Sequence, residues 1–304
     1  MLKNAIIIDG KRIANSILSD LKDKIKKDRE LGLAEAKLSI FLVGNNIANK
    51  IYVENKIRAA NNVGINTELI EFDDDIPEKV LLSEIEKKNQ DKEISGIIVQ
   101  LPLPEQIDKS KVIFAINPDK DVDGFHPLNL GLLYSPFKHK FVPCTAMGCF
   151  KLINSCIDDL TGKNVVMIGR SNIVGRPLAA LLLKEHCSVM ICHSYTNNLQ
   201  EITSRADIVI SAVGRAKFLT KEYFNANCLV IDVGINRTAK DEKVELVGDV
   251  DFDDVLNHVS YITPVPGGVG PMTVAYLLVN TYTACVNQVM SRNLLKNVDK
   301  SQLI

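Results

Sequence analysis

Neither sign of charge predominates in this sequence. Its 36 Lys and Arg residues balance 37 Asp and Glu, for a net charge of −1, so bulk electrostatics indicate no polyanionic partner such as a nucleic acid. No apolar run approaches the roughly 18 residues needed to span a bilayer, so no membrane partner is expected. The opening residues, MLKNAIIIDGKRIA, lack a long apolar segment and a small-residue cleavage site, so no signal peptide is expected. The seven cysteines form no C-x-x-C pair, and each lies in or beside an apolar segment. They read as small buried thiols in a reducing compartment, which points to the cytoplasm. No His/Cys/carboxylate cluster has zinc or iron spacing, so no metal is expected. No internal repeat or low-complexity segment interrupts the 304 residues, which suffice for two domains of ordinary size.

The stretch that organises the chain is Lys163 to Leu183, KNVVMIGRSNIVGRPLAALLL. Asn164 to Ile168 is a short β-branched run suited to a buried parallel strand. Gly169 to Gly175 is a polar turn, and Pro177 stands where the first turn of a helix tolerates it. Strand, glycine turn and helix together offer backbone N–H groups to a pyrophosphate. The pattern G-R-S-x-x-V-G-x-P only half matches G-x-G-x-x-G, and an ordinary βα turn would read similarly. A second strand, Cys187 to Cys192, ends roughly 20 residues past the glycines, where an NAD enzyme carries an acid for the ribose 2′-hydroxyl. Ser194 stands there instead, with Arg170 and Arg176 on the turn. A guanidinium grips a 2′-phosphate that a carboxylate would repel, so the expected cofactor is NADP.

From Ala5 to about Leu133, strand-like segments (Ile6–Asp9, Lys37–Val43, Thr67–Phe72, Ile94–Gln100) alternate with amphipathic ones. The helices are expected at about Lys11–Glu30, Asn46–Val63, Pro77–Asp91 and Lys109–Ile116. A second alternating block runs from Asn164 to Thr263, and a long apolar helix starts at Met272. The alternation argues for parallel βαβ units. The basic, proline-containing Tyr134–Thr145 reads as the joint between the blocks.

Four places could carry chemistry at strand ends, where open α/β sheets bind ligands. Tyr52 and Lys56 are four residues apart on one helix face, joined by Asn49; a snorkelling lysine beside a half-buried tyrosine is the plainer reading. Gln100 ends an apolar strand just before two prolines, which could admit a cis bond, and must satisfy its amide. Asp119, Asp121 and Asp123 crowd a loop that fails the EF-hand pattern, and Asp123 could hold the two-donor edge of an aminopyrimidine-like ring. Thr263–Thr273, TPVPGGVGPMT, combines glycines that permit close ligand approach with prolines that restrict the loop; Asp232–Asn236, including Ile235, ends another strand on the same edge.

Together these residues resemble the bifunctional methylenetetrahydrofolate dehydrogenase/cyclohydrolase family. The matching motifs are Y-V-x-x-K at Tyr52–Lys56, V-Q-L-P-L-P at Val99–Pro104, K-D-V-D-G-F at Lys120–Phe125 and P-C-T at Pro143–Thr145. They continue with G-R-S-x-I-V-G-R-P at Gly169–Pro177, C-H-S at Cys192–Ser194, D-V-G-I-N at Asp232–Asn236, G-D-V at Gly248–Val250 and T-P-V-P-G-G-V-G-P-M-T at Thr263–Thr273. The resemblance implies a two-domain α/β enzyme: a folate-binding catalytic domain, residues 1–144 completed by 275–304, and a Rossmann-like NADP domain, 145–274. It implies NADP-dependent oxidation of 5,10-methylenetetrahydrofolate to the methenyl cation and hydrolysis of that cation to 10-formyltetrahydrofolate. Lys56 would be the catalytic lysine with Tyr52 and Gln100 as partners. Tyr52, Asp123, Gly267, Gly268 and Pro271 would bind the folate. Gly169, Arg170, Ser171, Gly175, Ser194 and Ile235 would bind NADP, and the enzyme would be a homodimer. The chain departs from the family pattern at Ile47, Asn49 and Ala146. A dehydrogenase without the hydrolytic step and a non-catalytic NADP-binding regulator are the alternatives.

Overall fold

The computed structural model describes residues 4–32, 35–240 and 243–301. It divides into two compact units, one formed by Met1–Asn15 with Pro143–Thr273 and the other by Ser16–Val142 with Val274–Ile304. In chain order the elements begin β1 (Ile6–Ile7), α1 (Gly10–Glu30), β2 (Lys37–Val43), α2 (Ile47–Val63), β3 (Asn66–Phe72), α3 (Glu78–Gln90), β4 (Gly96–Val99), α4 (Lys109–Ala115), α5 (Pro127–Leu133) and α6 (Cys144–Asn154). They continue with β5 (Asn164–Ile168), α7 (Gly175–Lys184), β6 (Ser188–Cys192), α8 (Leu199–Thr203), β7 (Ile208–Ser211), β8 (Leu229–Asp232), β9 (Asn236–Lys240), β10 (Lys243–Val247), α9 (Phe252–Val255), β11 (Tyr261–Ile262) and α10 (Val269–Ser301).

The unit containing β2 is built on a parallel sheet in the order β3-β2-β4. Central strand β2 (KLSIFLV) is buried from Leu38 onward, as expected of a strand covered on both faces. Helix α2 begins where the Asn46 side chain accepts N–H bonds from Ala48 and Asn49, a side-chain N-cap. It ends at Gly64, whose φ of 89° is the left-handed conformation of a C-terminal glycine cap. Helix α10 is tied to this unit by its polar side chains. Asn280 donates to the carbonyls of Val122 and Val142, Gln288 donates to that of Ser95, and Tyr282 bonds Asp28.

The other unit carries a sheet in the order β1-β11-β8-β7-β5-β6, parallel throughout. Its strands β7 and β8 are entirely buried. The core gathers Val166, Ile168, Val209, Val230 and Ile262 under Phe224 and Val255.

Several expectations are corrected. The sequence places Ile6–Asp9 in the first block, but Ile6 and Ile7 pair with Tyr261 and Ile262 of the larger sheet. Ala5 and Ile8 flank the strand in its core while Ile6 and Ile7 lie at an exposed edge; partner choice is a tertiary matter that a four-residue apolar run does not encode. The joint expected at Tyr134–Thr145 ends in helix α6, where Ala146 is completely buried. The β9–β10 hairpin and α5 were not anticipated. Val269–Arg292 is long and apolar enough to cross a membrane by length and composition, contrary to the reading that no run qualifies. However, 56% of its qualifying 18-residue window is buried within the protein, as in the core helix of a globular fold.

Candidate active site

The short sheet brings two of the sequence candidates into contact. Strand β4 hands its ladder on to Gln100, whose N–H donates to Phe41 O at 2.9 Å. The Gln100 side-chain nitrogen donates to Leu101 O at 2.8 Å, next to the cis Leu101–Pro102 bond. This leaves the amide oxygen facing helix α2, where it accepts a 2.9 Å bond from Lys56 Nζ. Gln100 therefore orients the lysine nitrogen without placing a charge beside it. Tyr52 lies one helical turn earlier and is exposed. It makes no hydrogen bond to Lys56 among the described residues, so what the two share is the helix face. Asn49, on the same face, is buried.

The acidic loop separates into three roles. Asp119 pairs with Lys140 at the surface. Asp121 is 2% exposed and accepts from Phe125 N, His126 N and Asn129 Nδ2 at 3.1, 2.8 and 2.8 Å, so it holds the loop together. Asp123 is half-buried. Burial raises its proton affinity above the ordinary carboxylate range, the nearby Lys56 charge opposes this, and Asp121 adds to it. Lys56 and Asp123 are thus electrostatic neighbours at the ligand-binding end of the sheet. No group of three or more potential metal-ligating side chains occurs among the described residues.

In the other unit, the turn after β5 has the shape of an anion cradle. Gly169 has φ 122°, and a Cβ there would lie 2.6 Å from Ala212 O. A Cβ on Gly175 would lie 2.1 Å from Gly169 O. Both clashes are with backbone, so only glycine fits, and the first turn of α7 is left open for an anion. Ser171 Oγ accepts from Val174 N at 3.2 Å and shapes the turn. Arg170 is exposed, with its guanidinium 5.8 Å from the centre of the Tyr195 ring. Ser194 is exposed at the end of β6, with no carboxylate at that strand end. A pyrophosphate on the glycine turn and a 2′-phosphate near Arg170 and Ser194 fit this donor set, so the residues present suit NADP. Ile235 is exposed after β8. Asp232 at the end of β8 is 3% exposed, and burial pushes its pKa up to about 7. The opposing influences are N–H bonds from Val250, Asp249 and Gly234.

Gly267, Gly268 and Pro271 belong to the six-stranded unit. The crowding at Gly268 comes from the chain itself: a Cβ would lie 2.7 Å from Pro264 O and 2.8 Å from Thr263 Cβ. Lys11 N bonds Gly267 O at 2.9 Å, and Pro271 lies in the first turn of α10. Sequence reasoning passed over Asp249. The G-D-V motif containing it was its only signal.

Two family models cover most of the chain. Residues 8–123 match the tetrahydrofolate dehydrogenase/cyclohydrolase catalytic domain, and residues 143–289 match the corresponding NAD(P)-binding domain. A curated relative, the bifunctional protein FolD of Rickettsia peacockii, is 57% identical over 278 residues, 91% of this chain and 96% of that protein. Among solved structures, the bifunctional FolD methylenetetrahydrofolate dehydrogenase/cyclohydrolase of Campylobacter jejuni is 42% identical with a TM-score of 0.89, covering 93% of this chain and 99% of its own. The Trypanosoma brucei methylenetetrahydrofolate dehydrogenase-cyclohydrolase, solved with NADP and an inhibitor, is 36% identical with a TM-score of 0.90, covering 94% of this chain and 99% of its own.

Proposed function

Because the chain belongs to the tetrahydrofolate dehydrogenase/cyclohydrolase family, we propose that Lys56 is its hydrolytic base, Gln100 and Tyr52 the partners of that base, and Asp123 the anchor of the folate ring. The enzyme oxidises 5,10-methylenetetrahydrofolate with NADP and hydrolyses the product to 10-formyltetrahydrofolate. The observation that carries the residue assignment is the 2.9 Å bond from Lys56 Nζ to Gln100 Oε1, with the Asp123 carboxyl close enough to feel the lysine charge.

In the first step the bridging carbon loses a hydride and becomes the methenyl cation; bound NADP supplies the acceptor. In the second step water adds to that carbon, one proton leaves, and a C–N bond opens to give the formyl group. The second step calls for a base. A neutral lysine amine can donate one N–H to Gln100 Oε1 and keep its lone pair for the water proton. An added positive charge would oppose the cationic substrate, and the glutamine adds none. The Asp123 carboxylate can accept from the amino and ring N–H edge of the folate. Gly267, Gly268 and Pro271 complete the proposed folate contacts. Gly169, Arg170, Ser171, Gly175, Ser194 and Ile235 are the proposed NADP contacts.

The Lys56-bearing segment, residues 1–144 with 275–304, is proposed as the folate domain and 145–274 as the NADP domain, with the refinement that β1 pairs within the NADP-side sheet. A cytoplasmic homodimer without nucleic-acid or membrane partners is also proposed. Balanced charge and cysteines that form no disulfide support this setting; light scattering after size exclusion tests the dimer. The test of the activity is to supply 5,10-methylenetetrahydrofolate and NADP and follow NADPH and methenyl absorbance together. Oxidation with accumulating methenyl product would instead mark a dehydrogenase lacking the second step.

A further inference from the structure

Two loops at the carboxyl ends of β7 and β8 share one buried carboxylate. Asp249 is completely buried, and five donors converge on it. Ser211 Oγ, Val213 N and Gly214 N reach Oδ2 at 3.0, 2.8 and 3.3 Å. Arg215 N and Asn236 Nδ2 reach Oδ1 at 2.9 and 3.0 Å. The Asp249 N–H in turn donates to Asp232 Oδ1 at 3.0 Å. So many donors on one carboxylate are what a buried anion requires. They also fix the backbone of three consecutive residues, 213–215, to a single point.

That point is connected to the cofactor cradle. Ala212, next to the bound Val213, donates to Ile168 O at 2.8 Å, and its carbonyl closes the space beside Gly169. Asn236, the other tether, follows Ile235. In the strand order β6-β5-β7-β8, the chain reverses direction beside β5, the switch point where dinucleotides bind. The 2′-phosphate candidates Arg170 and Ser194 lie toward β6. The loops held by Asp249 follow β7 and β8, on the opposite side of that switch point.

Resting on the NADP reading of this unit, we propose that Asp249 is a positioning residue that holds the β7 and β8 loops in the form that receives the nicotinamide half of the cofactor. It touches no substrate itself and acts through the N–H groups it anchors. Such supporting contacts determine how precisely a site is held.

The test is Asp249→Asn, which keeps the size but turns an NH2 group toward N–H donors. The KM for NADP should rise about tenfold or more, as expected for lost bonds to a charged acceptor. The KM for NAD should rise by the same factor, because the 2′-phosphate end is untouched. Cofactor-free hydrolysis of methenyltetrahydrofolate, which draws on Lys56, should remain at the parental rate. A parental NADP KM in the folded variant overturns the proposal, as does an equal loss of hydrolysis, which marks a purely structural residue. If Asp249→Asn does not fold, Ser211→Ala removes one of the five donors and should raise the NADP KM severalfold; no change there also overturns it. A parent protein without NADP-dependent oxidation would overturn the functional reading itself, which is a distinguishable outcome.

Discussion

Lys56 and Gln100, 44 residues apart, meet in a 2.9 Å hydrogen bond from α2 to the end of β4. The bond gives the lysine a neutral partner in a place where charge matters. A protonated lysine about 4 Å from a methenyl cation would be opposed by about 4 kcal/mol at an effective dielectric of about 20. Gln100 adds nothing to that repulsion. Lys56→Met should therefore abolish hydrolysis, a loss of about 10²–10⁴-fold for a general base, while some oxidation survives and methenyl product accumulates. The measurement is methenyl absorbance over time with NADP supplied. Clearance at the parental rate would return Lys56 to the role of a snorkelling surface lysine.

Arg170 is exposed and stacked loosely on Tyr195, free to turn toward a 2′-phosphate. Arg170→Ala should weaken NADP binding by about one to two orders of magnitude, the cost of losing hydrogen bonds to a charged group. NAD binding should change much less. Equal losses in titrations of the two cofactors would refute the assignment.

Gly175 has no space for a methyl group, because Gly169 O would be 2.1 Å away. Gly175→Ala should open the turn and raise the NADP KM, with cofactor-free hydrolysis retained. Parental cofactor kinetics in this variant would show that the turn is not the phosphate cradle.

Asp232 titrates near 7 in the fold instead of at its ordinary 3.8. The folded state then holds a proton that the unfolded chain has already released. Its contribution to stability is present below about pH 4 and is lost as pH rises toward 7, levelling above that. Each factor of ten in proton affinity is about 1.4 kcal/mol, which bounds the change at about 4 kcal/mol. Denaturation of the parent and of Asp232→Asn across pH 4 to 8 isolates it. The parent should lose stability relative to the variant as pH rises, and a flat difference would refute the assignment.

Helix α10 buries Leu277, Leu278, Ala284 and Cys285 and bonds Val122, Val142 and Ser95 through Asn280 and Gln288. Ending the chain after Pro271 should expose that apolar surface and destabilise the folate unit. Normal folate binding by the truncated chain would contradict this.

Local chemistry was legible in the sequence wherever one short segment suffices to enforce it. The β-branched runs became parallel strands, the helix expected at about Asn46–Val63 formed as α2, and Gly169 to Pro177 formed a strand–turn–helix cradle with Arg170 at its mouth. The motifs marked Lys56, Gln100 and Asp123 individually. What they do to one another came only from tertiary structure. Strand register places Gln100 beside Phe41 and so opposite Lys56. The edge of the larger sheet, and not the nearer block, captured Ile6 and Ile7. Asp249 gathers donors that lie between 13 and 38 residues away in the chain. Periodicity reports which face of an element is apolar, whereas hydrogen bonds between distant loops depend on how the strands are ordered and paired. That is why the cradle could be read from one stretch of sequence, while the carboxylate that fixes the loops beside it appeared only in the folded chain.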